Sequence, residues 1–205
     1  MAEIKLTKNE LRNQQLRLAQ LQKYLPTLQL KKAMLQLEVQ EARQEIAREE
    51  KKYQQEREKI NSYAALLTDK IALDPQKVMQ VKEIKRRYEN IAGVEVPYFE
   101  SVEFISFDYN LFDTPPWVDG VILGLRGLGT AKVKTEIAYE KKIALEKELR
   151  EVSIRVNLFE KILIPRALKN IKKIKVFLGD QQLAAVSQAK VAKAKIVERK
   201  KASRL

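Results

Sequence analysis

The run Gly124–Thr130, G-L-R-G-L-G-T, has glycines spaced as in a loop that cradles phosphate. Such a loop needs backbone N–H groups around the phosphates, a lysine to reach them, and a buried strand leading in. Here Thr130 stands where the lysine belongs and no such strand precedes it, so the run reads as a flexible turn ahead of a helix. The adjacent carboxylates Glu49 and Glu50 have the composition of a general acid/base pair. That chemistry needs surroundings that push two pKa values apart, and on a heptad-patterned helix both groups are solvated. The chain contains no cysteine and no histidine. Disulfides, thiolate and imidazole metal sites, cysteine nucleophiles and histidine-dependent triads are therefore excluded. The expectation is a chain with no catalytic residue, no metal ligand and no cofactor site.

Charge offers a second kind of chemistry. The formal net charge is +13, and Lys190, Lys193, Lys195, Arg199, Lys200, Lys201 and Arg204 face a single acid, Glu198, near the C-terminus. A basic arm of this kind is one way to hold nucleic acid. No aromatic residues are interleaved for base stacking, and Ala189, Val191, Ala192, Ala194 and Ile196 alternate with the lysines as on a helix end. Most of the positive charge reads as lysines that solvate long helices already rich in glutamate.

The elements that carry these residues follow from periodicity. Thr7 and Glu10 form a capping box, in which each side chain satisfies the other residue's backbone N–H. Leu11, Leu18 and Leu25 then recur every seven residues. Leu21, Leu28, Leu35 and Ala42 form the neighbouring row, and Val39, Ile46, Tyr53, Ile60 and Leu67 extend the spacing. So narrow and sustained a stripe is a coiled-coil seam. Asp74-Pro75 ends the helix near Leu73, since a residue before proline leaves the α region. A shorter helix follows on Val78, Val81, Ile84, Tyr88 and Ile91, with Gly93 as its C-terminal cap. The alternation at Val94–Phe99 and Val102–Phe107 predicts a β-hairpin turning at Glu100-Ser101. Asp113-Thr114-Pro115-Pro116 makes a rigid corner, where Trp117, Tyr109 and Phe112 form a small core.

From Thr130 the helical rhythm returns. Leu145, Leu149, Val152, Val156, Phe159 and Leu163 step by four and three, and Ala167, Ile171, Ile174 and Leu178 continue. Pro26 and Pro165 should each bend the helix that holds it. The expected fold is all-α: a long antiparallel two-helix coiled coil with a short helix and a small β-hairpin in the middle. Residues 1–74 form its N-terminal helix, 75–129 the middle region, and 130–205 the C-terminal helix with its basic tail. Apolar runs such as Val121–Leu123 are far below the roughly 20 residues that span a bilayer, and the N-terminus lacks a signal-peptide core. A cytoplasmic chain without a membrane span is expected.

These parts resemble the D subunit of the V-type and archaeal-type rotary ATPases. The opening Leu6-Thr7-Lys8-Asn9, the basic stretch Leu28–Leu35 (LQLKKAML) and Gly93-Val94-Glu95-Val96-Pro97 are similar to that family's elements. The most specific likeness is Arg155-Val156-Asn157-Leu158-Phe159-Glu160, continued by Ile164-Pro165. This makes Thr7, Lys8, Arg155, Asn157, Glu160 and Pro165 the family-motif positions. The resemblance implies the non-catalytic rotor shaft of the central stalk, peripheral to the membrane, in a complex that couples ATP synthesis or hydrolysis to hydrogen-ion or other ion transport. It implies catalytic A and B subunits around the paired helix ends, and the small F subunit of the stalk with a membrane-rotor socket at the middle region. It implies no cofactor and no nucleic acid partner.

Two other classes fit a chain of this kind. A prefoldin-like chaperone also joins long helices through β-hairpins, but it presents apolar helix tips where this chain carries charge. A basic coiled coil that binds nucleic acid or a membrane surface is the other, and its binding would fall steeply with salt.

Overall fold

A computed structural model describes residues 4–62, 75–106, 115 and 117–202. Helix α1 runs Lys8–Ser62 and a single turn, α2, covers Pro75–Val78. Strands β1 (Val81–Ile91) and β2 (Val94–Phe104) form a two-stranded antiparallel sheet. Helix α3 spans Val118–Leu158, a π turn covers Phe159–Leu163, and α4 spans Ile164–Ala202. Among the described residues the fold is therefore all-α apart from one hairpin.

Helix α1 starts where the capping residue places it. The Thr7 hydroxyl accepts the Glu10 N–H at 3.3 Å, and its carbonyl accepts the Leu11 N–H at 3.0 Å. The Glu10 carboxylate turns forward to the Gln14 amide, 2.8 Å away. Pro26 lies inside the helix without ending it.

The chain sorts into two compact units, Lys31–Val152 and Met1–Leu30 with Ser153–Leu205. In the first, α1 and α3 run antiparallel. Lys31 pairs with Glu148 (2.6 Å), Arg43 with Glu146 (2.7 Å), Lys141 with Glu45 (3.0 Å), and Tyr139 donates to Glu50 (2.5 Å). Beneath these polar contacts Leu35, Val39, Ala42 and Ile46 are buried on α1, and Ile137, Ala138, Leu145 and Val152 on α3. A separate cluster of Val78, Val118, Val121, Ile122 and Leu125 packs with Ile60, Met79 and Trp117. In the second unit Leu21 is buried on α1, and Val156, Ala167, Ile171 and Ile174 on the returning helix.

The middle of the chain differs from its sequence-based reading in three ways. The expected helix through Ile91 stops after one turn at Val78, and Val81–Ile91 is a strand. The stripe Val81, Ile84, Tyr88, Ile91 fits a helix, but its β-branched and aromatic residues also suit an extended strand once a partner is present. That partner is set by the turn. Ala92 (φ 51°) and Gly93 (φ 84°) both take positive φ, as in the two-residue turn that suits hairpin twist. Gly93 is thus the hairpin turn and not a helix cap. Its N–H donates to the Asn90 side chain at 2.9 Å.

Second, Glu100-Ser101 is not a turn but lies within β2. Lys85 pairs with Ser101 and Arg86 with Phe99, so Glu100 is the extra residue of a β-bulge. Third, the returning helix begins at Val118, not Thr130, and the glycine run expected to be a loose turn is helical. A side chain at Gly129 would come within 3.3 Å of the Phe104 ring, so the glycine admits the hairpin's end. Of the proline corner, residues 113, 114 and 116 lie outside the described residues, as do Tyr109, Phe112, Leu67 and the end of the first helix near Leu73. Trp117 joins the core cluster.

Burial along the seam is uneven, which ranks its residues. Leu145 is fully buried, whereas Phe159 is only partly covered. Leu145→Ala is expected to cost about 2–5 kcal/mol. Phe159→Ala is expected to cost well under the roughly 3–5 kcal/mol typical of a fully buried phenylalanine. Urea unfolding of both variants checks the order.

Candidate interaction surfaces

Among the described residues no group of three or more acidic side chains is placed to hold a metal ion, and no helix is long and apolar enough to cross a membrane. The phosphate-loop glycines lie inside α3, where helical geometry has consumed the N–H groups a phosphate would need. Glu49 pairs with Lys52 at 2.6 Å and Glu50 accepts a hydrogen bond from Tyr139. Two surfaces stand out among the described residues.

The seam residues named from sequence fall into two groups. Val39, Ile46, Leu145, Val152 and Val156 are buried; Leu11, Leu18, Leu25, Ile60, Leu149, Phe159 and Leu163 are partly buried. The family-motif positions face outward. Lys8 opens α1 behind the Thr7 cap, while Arg155, Asn157, Glu160 and Pro165 lie at the surface, and Glu160 accepts a hydrogen bond from Gln29.

One surface escaped the sequence reading. Along α3, Arg126, Lys134 and Lys141 recur at nearly two-turn intervals, and each cation sits over a ring of β2. The pairs are Arg126 with Phe104 (5.7 Å), Lys134 with Phe99 (4.9 Å) and Lys141 with Tyr98 (4.1 Å). Arg126 also donates to the Ile105 carbonyl at 2.9 Å, and Arg86 of β1 meets Glu140 at 2.6 Å. The hairpin is thereby fastened along α3. Read singly, these residues look like solvating cations; only pairing with a strand distant in sequence reveals their use. Tyr88 of β1 remains 61% exposed.

A second surface is the end of α4. From Asp180 to Arg199 every residue is exposed. Partial burial stops at Gly179, so among the described residues nothing covers the next roughly 30 Å of α4 at 1.5 Å per residue. Leu183, Val186, Val191 and Ile196 are each more than half exposed, interleaved with Lys190, Lys193 and Lys195. Isolated exposed apolar residues are ordinary, but a row of them along an uncovered helix marks an interaction surface.

Lys141 is the one buried charged residue of the core among the described residues. Burial pushes its ammonium toward the neutral form. Contacts with Tyr98 and Glu45 outweigh that, and the pKa is raised above the ordinary lysine value. A raised pKa in the folded state stabilises the fold fully below the unfolded value of about 10.4, and the contribution is lost as pH climbs through the folded pKa. The chain should exceed its Lys141→Met variant by about 1–2 kcal/mol at neutral pH. The gap should hold to about pH 10 and shrink above it. Urea midpoints of the pair across this range test the assignment.

Comparison with known proteins accounts for nearly the whole chain. The family model for the ATP synthase D subunit matches residues 10–194. The V-type ATP synthase D subunit of Chlamydia pneumoniae is 46% identical over 199 residues, covering 97% of this chain and 95% of that protein. Those of Chlamydia abortus and Chlamydia muridarum are each 43% identical, over 203 and 200 residues, covering 98% and 97% of this chain and 98% of each relative. With near-complete coverage in both directions, and long antiparallel helices joined to a β-hairpin, the chain belongs to the family of ATP synthase D subunits.

Proposed function

We propose that this chain is the central shaft of a rotary ATPase. It carries rotation between ATP synthesis or hydrolysis on a ring of A and B subunits and ion movement in a membrane sector. The observation that carries the reading is the uncovered end of α4, a helix whose exposed apolar row needs a surrounding partner. The three-part division of the chain follows in functional terms. The segments 1–74 and 130–205, which hold the long helices, are the transmitting element. The middle, 75–129, is the docking region for a small F subunit and a rotor socket. No group on the chain reacts; the shaft acts through the different contacts it offers each A–B pair as its angle changes.

Recovery of the tagged chain from its own cells, in complex, tests this directly. Two large subunits should accompany the parent chain. Replacing Leu183, Val186 and Val191 together by Gln should lower their recovery about tenfold while the chain's own stability moves by no more than about 0.5 kcal/mol. Full recovery by the triple variant rejects insertion of this end, and absence of large subunits with the parent rejects the shaft itself. Torque is checked on a complex carrying Leu145→Ala. ATP hydrolysis should persist while ion transport falls; equal loss of both assigns the seam to folding alone.

A further inference from the structure

We infer that the coil contains a built-in flexure at the level where Pro26 of α1 lies abreast of the π turn. Three independent features meet at this one cross-section. On α1, Pro26 has no N–H, so the Gln22 carbonyl loses its helical donor. On the returning helix, Phe159–Leu163 form a π turn in which the Ile164 N–H reaches back five residues to the Phe159 carbonyl. Pro165 then withholds the N–H that would otherwise serve the Lys161 carbonyl. The level is fixed from both sides: Leu21 lines the same 330 Å³ cleft as Leu163 and Ala167, and Gln29 bonds Glu160.

The third feature is thin packing. No residue of the π turn is buried, nor is any residue of α1 from Gln22 to Leu30. Leu25, Leu28, Phe159 and Leu163 are only partly covered, whereas Leu21, Val156 and Ala167 on either side are buried. Both helices are thus short of a backbone hydrogen bond at a level where neither contributes a buried residue. A segment with few buried apolar contacts opens locally at a lower free energy than its flanks.

The π turn has a sequence origin. A regular 3–4 seam after Val156, Phe159 and Leu163 would continue at residues 166, 170 and 173. The buried residues are Ala167, Ile171 and Ile174, one place later. One residue has been inserted, and a π turn absorbs an insertion without turning the downstream stripe away from its partner. Removing Lys161 would therefore restore an unbroken α-helix with the downstream seam in phase. The flexure is a separable feature of the chain.

Its use as a torsional spring rests on the shaft reading, but its existence does not, and the experiment addresses the chain alone. Amide hydrogen exchange on the full chain should show residues 27–30 and 159–164 exchanging at least about tenfold faster than residues 39–46 and 171–174. Pro26→Ala, and separately deletion of Lys161, should slow exchange at this level about tenfold and raise the melting temperature. Equal protection across these segments in the parent chain overturns the inference. So do variants that fold yet leave the local rates unchanged. Should the deletion fail to fold, Pro26→Ala alone decides, since it leaves the helix length intact. Failure here leaves the shaft reading standing, because co-purification is unaffected.

Discussion

The structure depends on the narrowness of its apolar stripes. The buried row of α1, Leu35, Val39, Ala42 and Ile46, takes about two positions in seven, and a stripe of that width leaves most of the helix circumference in water. A sheet or a globular core would need a broader face. Only another helix with an equally narrow stripe covers it, and within one chain that partner is the returning helix. The flanking pairs Lys31–Glu148 and Arg43–Glu146 sit at the edge of the seam, partly in solvent. Exposed pairs of this kind add little stability, but they favour one register. Burial of Leu35, Ala42, Leu145 and Val152 supplies the stability.

The hairpin obeys a different rule. A two-stranded sheet is marginal in water by itself, and β1 and β2 have only each other as strand partners among the described residues. Fastening through Tyr98, Phe99 and Phe104 to cations of α3 gives it a second layer. At Lys141 the ammonium that sits over the Tyr98 ring also donates to Glu45 at 3.0 Å, so ring and acid share one cation. The glycine at 129 adds the close approach the last ring requires.

The seam and the N-terminal cap are legible in the sequence because both are local: Thr7 needs only Glu10 and Leu11, and the heptad spacing is a property of one helix. The hairpin is visible there as a change of period, but in the wrong place, for two physical reasons. Its turn uses an alanine at positive φ, which carries no turn signature, and its bulge at Glu100 imitates a turn. The glycines of α3 look like breakers because helix propensity is a weak prior that packing overrides. Nothing local to Lys141, Lys134 or Arg126 marks them as ring-binding. The step of four from Leu163 to Ala167 is present in the sequence, but only the fold shows that it is an insertion absorbed by a π turn.

Antiparallel pairing also orders events during synthesis. Contacts between the helices grow steadily more distant along the chain, from Glu50 with Tyr139, 89 residues apart, to Lys31 with Glu148, 117 apart, and Gln29 with Glu160, 131 apart. Each successive contact closes only slightly more chain once the previous one holds. The helices therefore close like a zipper from the hairpin outward. The start of α1, made first, keeps its leucines waiting in solvent until nearly the last of the chain has emerged.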